Sequence, residues 1–548
     1  MKVLIVGGVA GGASTAARLR RNDENAEIIM LEKGDYVSFA NCGLPYYVGK
    51  VIKSKEALLL QTPESFYNRF HIDVRVRSEV FSVNYAKKTV SVRNCETGES
   101  YIESYDKLVL SPGAKPIIPK IKGMDLKHVF TLRNIPDAFA IEEFIIHNKT
   151  KSCAVIGGGF IGLEMAENLK SSGLEVSVIE AGSHVMPSID TDMAYDVQNY
   201  IRSKGIKLYL NSRAQEITNS SVIFENGIEV AADMIIMSIG ITPDTEFLKD
   251  SHILLGERGE ILVNDYMETS VNDIFALGDA VSIKNIISGQ RVLIPLASPA
   301  NKQGRIVADN LCGKNQKYNG SQGTSIIKLF EMTVASTGEK EESLIRNNIP
   351  YKKVFTYSSS HAGYYPDGKM MSLKLLFSPL DGKILAVQIV GYDGVDKRID
   401  VLANAVRFGL TVYDLQEMEL AYAPPFSSAK DPVNMLGYVA SNVLDGKMKV
   451  FYLEDISSLP KEAILIDVRT VEEFENGHIN GAVNIPLDSL RSCLNALDKN
   501  KVIYLTCQIG LRGYIAQRIL DQKGYSSFNL SGGYRLYRAA EINKAGLL

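Results

Sequence analysis

Val3-Leu4-Ile5-Val6-Gly7-Gly8-Val9-Ala10-Gly11-Gly12 opens the chain, and its reading decides the fold. A buried strand runs into a glycine-rich turn, the pattern continues as a helix from Ala13 to Arg21, and a second strand follows from Glu27 to Glu32. In such a βαβ unit the glycines let backbone approach a pyrophosphate at the helix N-terminus, and an acid ending the second strand, here Glu32, reaches a ribose. Val9 stands where the second glycine of GxGxxG belongs, so this copy alone is an incomplete match. The same grammar returns intact at Cys153 to Ile156, then Gly157-Gly158-Gly159-Phe160-Ile161-Gly162, a helix to Ser171 and a strand from Glu175 to Glu180. Two fingerprints, each ending in an acid, predict two nucleotide domains. Glu180 accepts from a free 2'-hydroxyl and repels a 2'-phosphate, which favours NADH and leaves NADPH open only if a basic residue elsewhere admits it.

Outward from these units, the 548 residues divide into about four domains at about 150 residues each. Hydrophobic residues at 45% and charged residues at 22% describe a globular chain. With 60 Lys+Arg against 63 Asp+Glu, no basic field points to nucleic acid or an anionic membrane, and small molecules are the expected partners. The apolar start could be read as a secretory signal, but its glycines and its continuation into a second strand argue against that and for a cytoplasmic enzyme. Elsewhere charges and prolines interrupt every apolar run. Leu108 to Ala114 and Ser238 to Pro243 read as buried strands stopped by Gly/Pro turns, crossovers between the nucleotide domains. Ile274-Phe275-Ala276 leads into Asp279, a carboxylate just past a strand end, where α/β sheets hold ligands. From about 320 to 444 the pattern changes to longer strands with helices near 396–408 and 431–444, and a fresh α/β alternation begins at Ala463.

Six cysteines without a CxxC pair exclude a disulfide scaffold and a thiolate zinc site, and no metal is expected. Cys42, in Asn41-Cys42-Gly43-Leu44-Pro45, follows Glu32 by ten residues, and Pro45 and Tyr47 occupy the offsets where a pairing cysteine would stand. A lone thiol there can cycle through a mixed disulfide or a sulfenic acid. Either route needs the thiolate: at an ordinary pKa near 8.5 only about 3% is ionised at pH 7, against roughly 90% if a helix N-terminus lowered it to about 6. Cys507, in Thr506-Cys507-Gln508-Ile509-Gly510-Leu511-Arg512, sits between a buried strand and a helix N-terminus, so that loop N–H groups, the helix dipole and Arg512 can hold a thiolate or persulfide.

Taken together, residues 1–445 resemble the pyridine nucleotide-disulfide oxidoreductase superfamily, in the single-cysteine branch that includes coenzyme A-disulfide reductase, NADH oxidase and NADH peroxidase. The Cys42 segment, Pro299-Ala300-Asn301-Lys302-Gln303-Gly304-Arg305 and Tyr422-Ala423-Pro424-Pro425 look most like the coenzyme A-disulfide reductase type. The last hundred residues, with Asp467-Val468-Arg469, Gly477-His478-Ile479 and the CxxGxR loop, resemble the rhodanese family. Asp467 and Arg469 are expected to form a supporting ion pair, and His478 to be structural. The resemblance implies an FAD domain over 1–115 and 245–320, an NAD domain over 116–244, an α+β dimerisation domain over 321–445, a linker over 446–456 and a rhodanese domain over 457–548.

By the same resemblance FAD is held by Gly7, Gly8, Val9, Ala10, Gly11 and Gly12, by Glu32, Lys33, Asn41, Cys42 and Val80, and by Ser111, Pro112, Gly113 and Arg133. Asp279 and Ala280 meet its ribityl chain, and Pro295, Leu296, Ala297 and Ala300 complete its site. NADH falls to Gly157, Gly158, Gly159, Phe160, Ile161, Gly162, Glu180 and Gly240. Coenzyme A, which needs fixed cations for its phosphates, falls to Arg18, Arg21, Ser38, Asn41 and Asn301. A homodimer is implied in which the other subunit delivers Tyr364, or its neighbour Tyr365, and Tyr422 to the Cys42 sulfur. The expected function is NADH-dependent reduction of coenzyme A disulfide, persulfides or polysulfides at Cys42, with sulfane sulfur carried on Cys507 and tethering raising the local concentration of the second site without requiring a permanent interface. The alternatives are an NADH oxidase or peroxidase using a Cys42 sulfenic acid, and a redox-sensing or sulfur-docking protein without turnover.

Overall fold

A computed structural model of the chain describes residues 1–546, so the last two positions of the 457–548 span lie outside the described residues. The chain divides into two compact units, Met1–Ala181 with Asn211–Gly323, and Gly182–Leu210 with Thr324–Leu548. The first is built on two parallel sheets. One runs in the order Ile274–Ala276, Lys107–Leu110, Lys2–Val6, Glu27–Leu31, Asp73–Arg75. Its central strand is flanked on both sides in register, Val3 opposite Ile28 and Lys107, and its residues Val3 to Ile5 are fully buried, as a strand covered on both faces must be. The strand Ile274–Ala276 returns to the edge of this sheet after the second nucleotide fold has intervened, which brings Asp279 back to the first fingerprint. The second sheet sets Ser152–Ile156 between Glu175–Ile179 and Met234–Met237.

Both fingerprint helices begin earlier than their apolar pattern suggests, at Ala10 and Phe160, because the glycine turn itself enters the first helical turn. Ser238–Pro243 is not one buried strand: the buried strand is Met234–Met237, the positive φ of Gly240 breaks the chain, and Ile241–Pro243 pairs antiparallel with Ala114–Pro116. The two crossovers are thus hydrogen-bonded to each other.

The helix Ala297–Leu311 lies along Ala10–Asn22 so closely that a Cβ at Gly304 would come within 2.7 Å of the Gly11 carbonyl. Only a residue without a side chain permits that approach.

The second unit holds a five-stranded antiparallel sheet in the order Ser325–Leu329, Met332–Gly338, Ile384–Gly391, Met370–Phe377, Lys352–Ser359, against which helices Val395–Arg407 and Pro432–Leu444 lie. It also holds a five-stranded parallel sheet, Val450–Phe451, Ser527–Leu530, Ile503–Thr506, Ile464–Asp467, Val483–Asn484. The edge strand Val450–Phe451 falls in the stretch read as a linker.

The two sheets of this unit are joined by a built interface. Phe355 donates its backbone N–H to Ser531 Oγ at 3.2 Å, the Tyr452 hydroxyl donates to the Lys353 carbonyl at 3.0 Å, and the buried Gln198 and Asn543 amides meet at 2.7 Å. Lys374, fully buried, gathers the carboxylates of Asp190 and Asp192 at 2.8 and 2.7 Å, and that of Glu341. Lys353 adds a second cation at 3.1 Å from Glu341. Burial works against the charged form of Glu341, but the two lysines outweigh it and hold the carboxyl at about 2.

Removing the cation from such a cluster strands buried charge. Lys374→Met is therefore expected to destabilise the unit by about 3–5 kcal/mol, with part of the loss recovered by adding Asp192→Asn. The midpoint of guanidinium-induced unfolding measures it.

Candidate functional site

The first fingerprint turn is closed by its own acid: Gly8 N–H donates to Glu32 Oε2 at 2.8 Å and Gly34 N–H to Oε1 at 2.8 Å. The second does the same, with Gly158 N–H on Glu180 Oε2 at 2.7 Å. A Cβ placed at Gly159 meets nothing within 4 Å, so the mouth of this turn stands open to a pyrophosphate, and the carboxylates sit where a ribose would be met. The residues present fit dinucleotides at both turns.

Around the first turn the expected FAD residues gather in part by direct contact. Arg133 Nη2 lies 3.2 Å from Asp279 Oδ2, the Asn41 amide donates to the Arg133 carbonyl at 3.0 Å, and a Cβ at Gly113 would stand 3.1 Å from the same guanidinium. Ser111 N–H donates to the Val6 carbonyl at 2.8 Å, and Lys33 is paired with Asp244. Val80 is buried in the antiparallel strand Ser78–Asn84, whose Ser78 N–H donates to the Glu32 carbonyl at 2.9 Å. Ala297 opens the helix that follows Pro295 and Leu296, and Ala300 is buried on it.

Cys42 lies in a single 3₁₀ turn, Asn41–Gly43, before the five-residue helix Leu44–Val48. Cys42 is exposed as a residue in the single chain, while its surroundings partly desolvate the sulfur. That burial pushes the thiol up, the carboxylates of Glu164 and Asp279 push the same way, and Arg133 opposes them. A helix of one turn supplies little dipole, so the depression to about 6 considered from sequence is not what the protein groups deliver. Glu164 was not anticipated. It stands on the second fingerprint helix, accepts from the Tyr46 hydroxyl at 3.1 Å, and is itself pushed up to about 7, first by burial and then by Glu167. The neighbouring Tyr47 hydroxyl donates to Glu142 at 2.5 Å, which fixes the short helix on a second side.

A cleft of 370 Å³ brings Arg18, Arg21, Ser38 and Asn301 together. The close approach of the two helices at Gly304 is what places Asn301 beside Ser14, whose hydroxyl donates to it. Arg18 is pinned by Asp309 at 2.9 Å, so part of its charge is spent. Among the described residues Arg21 has no ion-pair partner, and neither does Arg305, a lining residue that sequence reading missed although it follows Asn301 by one helical turn. Gln61, Phe66 and Phe70 also line the cleft, from a stretch with no motif to announce it. Asn41 is not among the lining residues; its amide is engaged with Arg133. Ser38 holds a left-handed backbone with φ of 47°, uncommon outside glycine, and its N–H donates to the Gly8 carbonyl at 2.8 Å. Backbone strain of this kind gathers at ligand sites.

In the second unit Tyr364 and Tyr422, both exposed, share a hydrogen bond between hydroxyls of 2.6 Å. Tyr365 turns aside, its ring edge on His361 at 5.4 Å.

Cys507 is buried at the base of a loop whose N–H groups point at it: Gly510 donates to Sγ at 3.1 Å and Gly513 at 3.2 Å. Tyr534 and Arg535, in the first turn of Gly533–Ala545, donate their N–H groups to the Cys507 and Gln508 carbonyls, which turns the remaining loop amides inward. Arg512 lies close enough to Cys507 to feel its charge, but its guanidinium is engaged. Both its terminal nitrogens are held by Glu473, at 2.6 and 2.7 Å, and this pairing keeps the Glu473 carboxyl at about 2. Asp467 and Arg469 form the expected buried pair at 2.6 Å, with the guanidinium stacked 3.9 Å from the Tyr534 ring. His478 stacks on Phe474 at 3.8 Å.

Residues 1–304 match the pyridine nucleotide-disulphide oxidoreductase model, residues 324–432 the dimerisation domain of that family, and residues 452–540 the rhodanese-like domain. Coenzyme A disulfide reductase of Staphylococcus haemolyticus is 39% identical over 443 residues, covering 81% of this chain and all of its own. The crystal structure of reduced Bacillus anthracis CoADR-RHD is similar at a TM-score of 0.97 and 47% identity, covering 99% of this chain and 98% of that one. A NAD-dependent persulfide reductase from A. fulgidus is similar at 0.92 and 35% identity, covering 98% of this chain and all of its own. The paired nucleotide turns, the thiol beside the first of them and these matches lead to one conclusion: the chain belongs to the pyridine nucleotide-disulphide oxidoreductase family, as an FAD- and NAD(H)-dependent reductase carrying a C-terminal rhodanese-like domain.

Proposed function

We propose that this enzyme reduces coenzyme A disulfide and coenzyme A or other small persulfides and polysulfides at Cys42, and that Cys507 carries sulfane sulfur. The observation that carries the reading is the cleft in which Arg18, Arg21, Asn301 and Arg305 converge, a set of donors suited to the phosphates of coenzyme A. FAD and NADH, when bound, supply the electron pair. The Cys42 thiolate attacks one sulfur of a coenzyme A disulfide, giving a mixed disulfide and one coenzyme A thiolate. Two electrons and a proton then return the Cys42 thiolate and release the second coenzyme A as thiol. With a persulfide, attack on the outer sulfur leaves Cys42 persulfidated and frees the coenzyme A thiolate, and two electrons and a proton then return the Cys42 thiolate and release hydrogen sulfide. The Gly510 and Gly513 amides hold the Cys507 sulfur for exchange with a persulfide. The dimerisation domain supports a homodimer in which Tyr364 and Tyr422 of one subunit donate to sulfur at Cys42 of the other. A cytoplasmic setting, where NADH and coenzyme A are found together, suits this reaction.

Cys42→Ser is expected to abolish NADH-dependent persulfide reduction, followed by NADH consumption, and Cys507→Ser to spare it while stopping sulfur transfer; reduction that survives loss of Cys42 overturns the mechanism. Turnover with oxygen or peroxide exceeding that with coenzyme A persulfide would replace it with the oxidase reading. Arg21→Ala and Arg305→Ala should each raise KM for coenzyme A disulfide by about 10-fold, the worth of one charge-assisted contact, and leave KM for a phosphate-free disulfide in place. Glu164→Gln removes a negative charge facing Cys42, so the thiol ionises at lower pH. The difference from wild type in the rate of iodoacetamide alkylation should widen as pH rises through about 7, where the native carboxyl ionises.

A further inference from the structure

The two exposed tyrosines of the second unit sit on segments with little regular structure of their own. Tyr364 lies in the turn between the strands Lys352–Ser359 and Met370–Phe377, and Tyr422 in the stretch between helix Val412–Glu417 and helix Pro432–Leu444. An exposed side chain on an irregular segment has many rotamers and backbone positions to choose among, yet these two hydroxyls meet at 2.6 Å. Something beneath them removes that freedom.

The group beneath is Arg398, on helix Val395–Arg407, whose side chain is 1% exposed. Its Nη2 faces four acceptors: the Ser360 carbonyl at 3.0 Å, the Phe426 carbonyl at 3.4 Å, the Ser427 hydroxyl at 3.1 Å and Asp431 Oδ2 at 3.0 Å. Ser360 belongs to the Tyr364 segment, and Phe426 and Ser427 to the Tyr422 segment, so one guanidinium holds both. Asp431 completes the clamp, accepting from Ser427 Oγ at 2.5 Å while its other oxygen caps the helix at Val433. The segments also touch directly, Ala362 N–H on the Pro424 carbonyl at 3.4 Å. Room for the guanidinium is made at Gly394, where a Cβ would lie 2.3 Å from Nη1 and where φ is +72°. Nη2 alone meets both chain segments and the Asp431 carboxylate, and Nη1 donates to the Gly394 carbonyl at 3.2 Å, so the planar guanidinium is held at two nitrogens where an ammonium offers one.

We infer that Arg398, braced by Asp431, is the positioning residue for the tyrosine pair. It acts through Tyr364 and Tyr422, holding their hydroxyls in the shared hydrogen bond that consumes one hydroxyl proton and leaves the other to be donated to sulfur. The inference rests on the proposed role of these tyrosines at Cys42.

The test is a double-mutant cycle on the full-length FAD enzyme. In the native background Arg398→Lys should lower kcat for coenzyme A disulfide about 10-fold, with KM and the rate at which NADH reduces the enzyme within about 2-fold of wild type. In a Tyr364→Phe, Tyr422→Phe background the same substitution should change kcat by less than about 2-fold, because the groups it positions are gone. A loss that persists in full in the phenylalanine background shows a general structural role and overturns the proposal, as does an unchanged kcat in the native background. Where Arg398→Lys does not yield folded enzyme, Ser427→Ala removes one arm of the clamp and is read through the same cycle. Full activity of the phenylalanine double variant by itself sinks the reading of the tyrosines, an outcome separate from either result at Arg398.

Discussion

The contact between helices Ala10–Asn22 and Ala297–Leu311 at Gly304 is the constraint on which the reductase half depends. It closes a domain whose two parts are separated in sequence by an entire nucleotide fold. Gly278 N–H donates to Gln303 Oε1 at 2.8 Å, so the turn that carries Asp279 is tied to the same returning helix. The cleft beside the contact exists because Asn301 and Arg305 ride on one of these helices and Ser14, Arg18 and Arg21 on the other. Packing, the placement of Asp279 and the cationic lining of the cleft therefore share one close approach of two backbones.

The two sulfur centres are solved by opposite physics. Around Cys42 the protein supplies desolvation and two carboxylates, which together outweigh the help that Arg133 and a backbone hydrogen bond give the thiolate. Around Cys507 the contacts are of another kind, backbone N–H groups aimed at sulfur from a loop that a neighbouring helix turn holds. Arg512 adds less than its position in the motif suggests, because Glu473 has already claimed its fork.

Much of this was legible in residues. Glycine turns and terminal acids define nucleotide units because their spacing is fixed by backbone geometry, and the structure sets Glu32 and Glu180, read as ribose partners, each against an amide of its own turn. Helix starts were misplaced because the glycine turn carries no apolar pattern. Residues brought in by tertiary return were invisible: Glu164 meets the cysteine segment from another sheet's helix, and Gln61 and Phe70 enter the cleft from a loop and a helix end. Arg398 lay in an ordinary amphipathic helix, and its role depends on a carbonyl at Ser360 and another at Phe426 that no local pattern connects.

The edge strand Val450–Phe451 has a practical meaning for anyone who would separate the sulfur carrier from the reductase. Composition suggests a cut near residue 456, but that cut would leave Val450–Phe451 behind. Ser527–Leu530 would then present an unpaired row of N–H and C=O groups, the open template on which β-sheets aggregate. A fragment that keeps its solubility must begin before Lys449, whose carbonyl also accepts from Asn529 N–H at 2.9 Å.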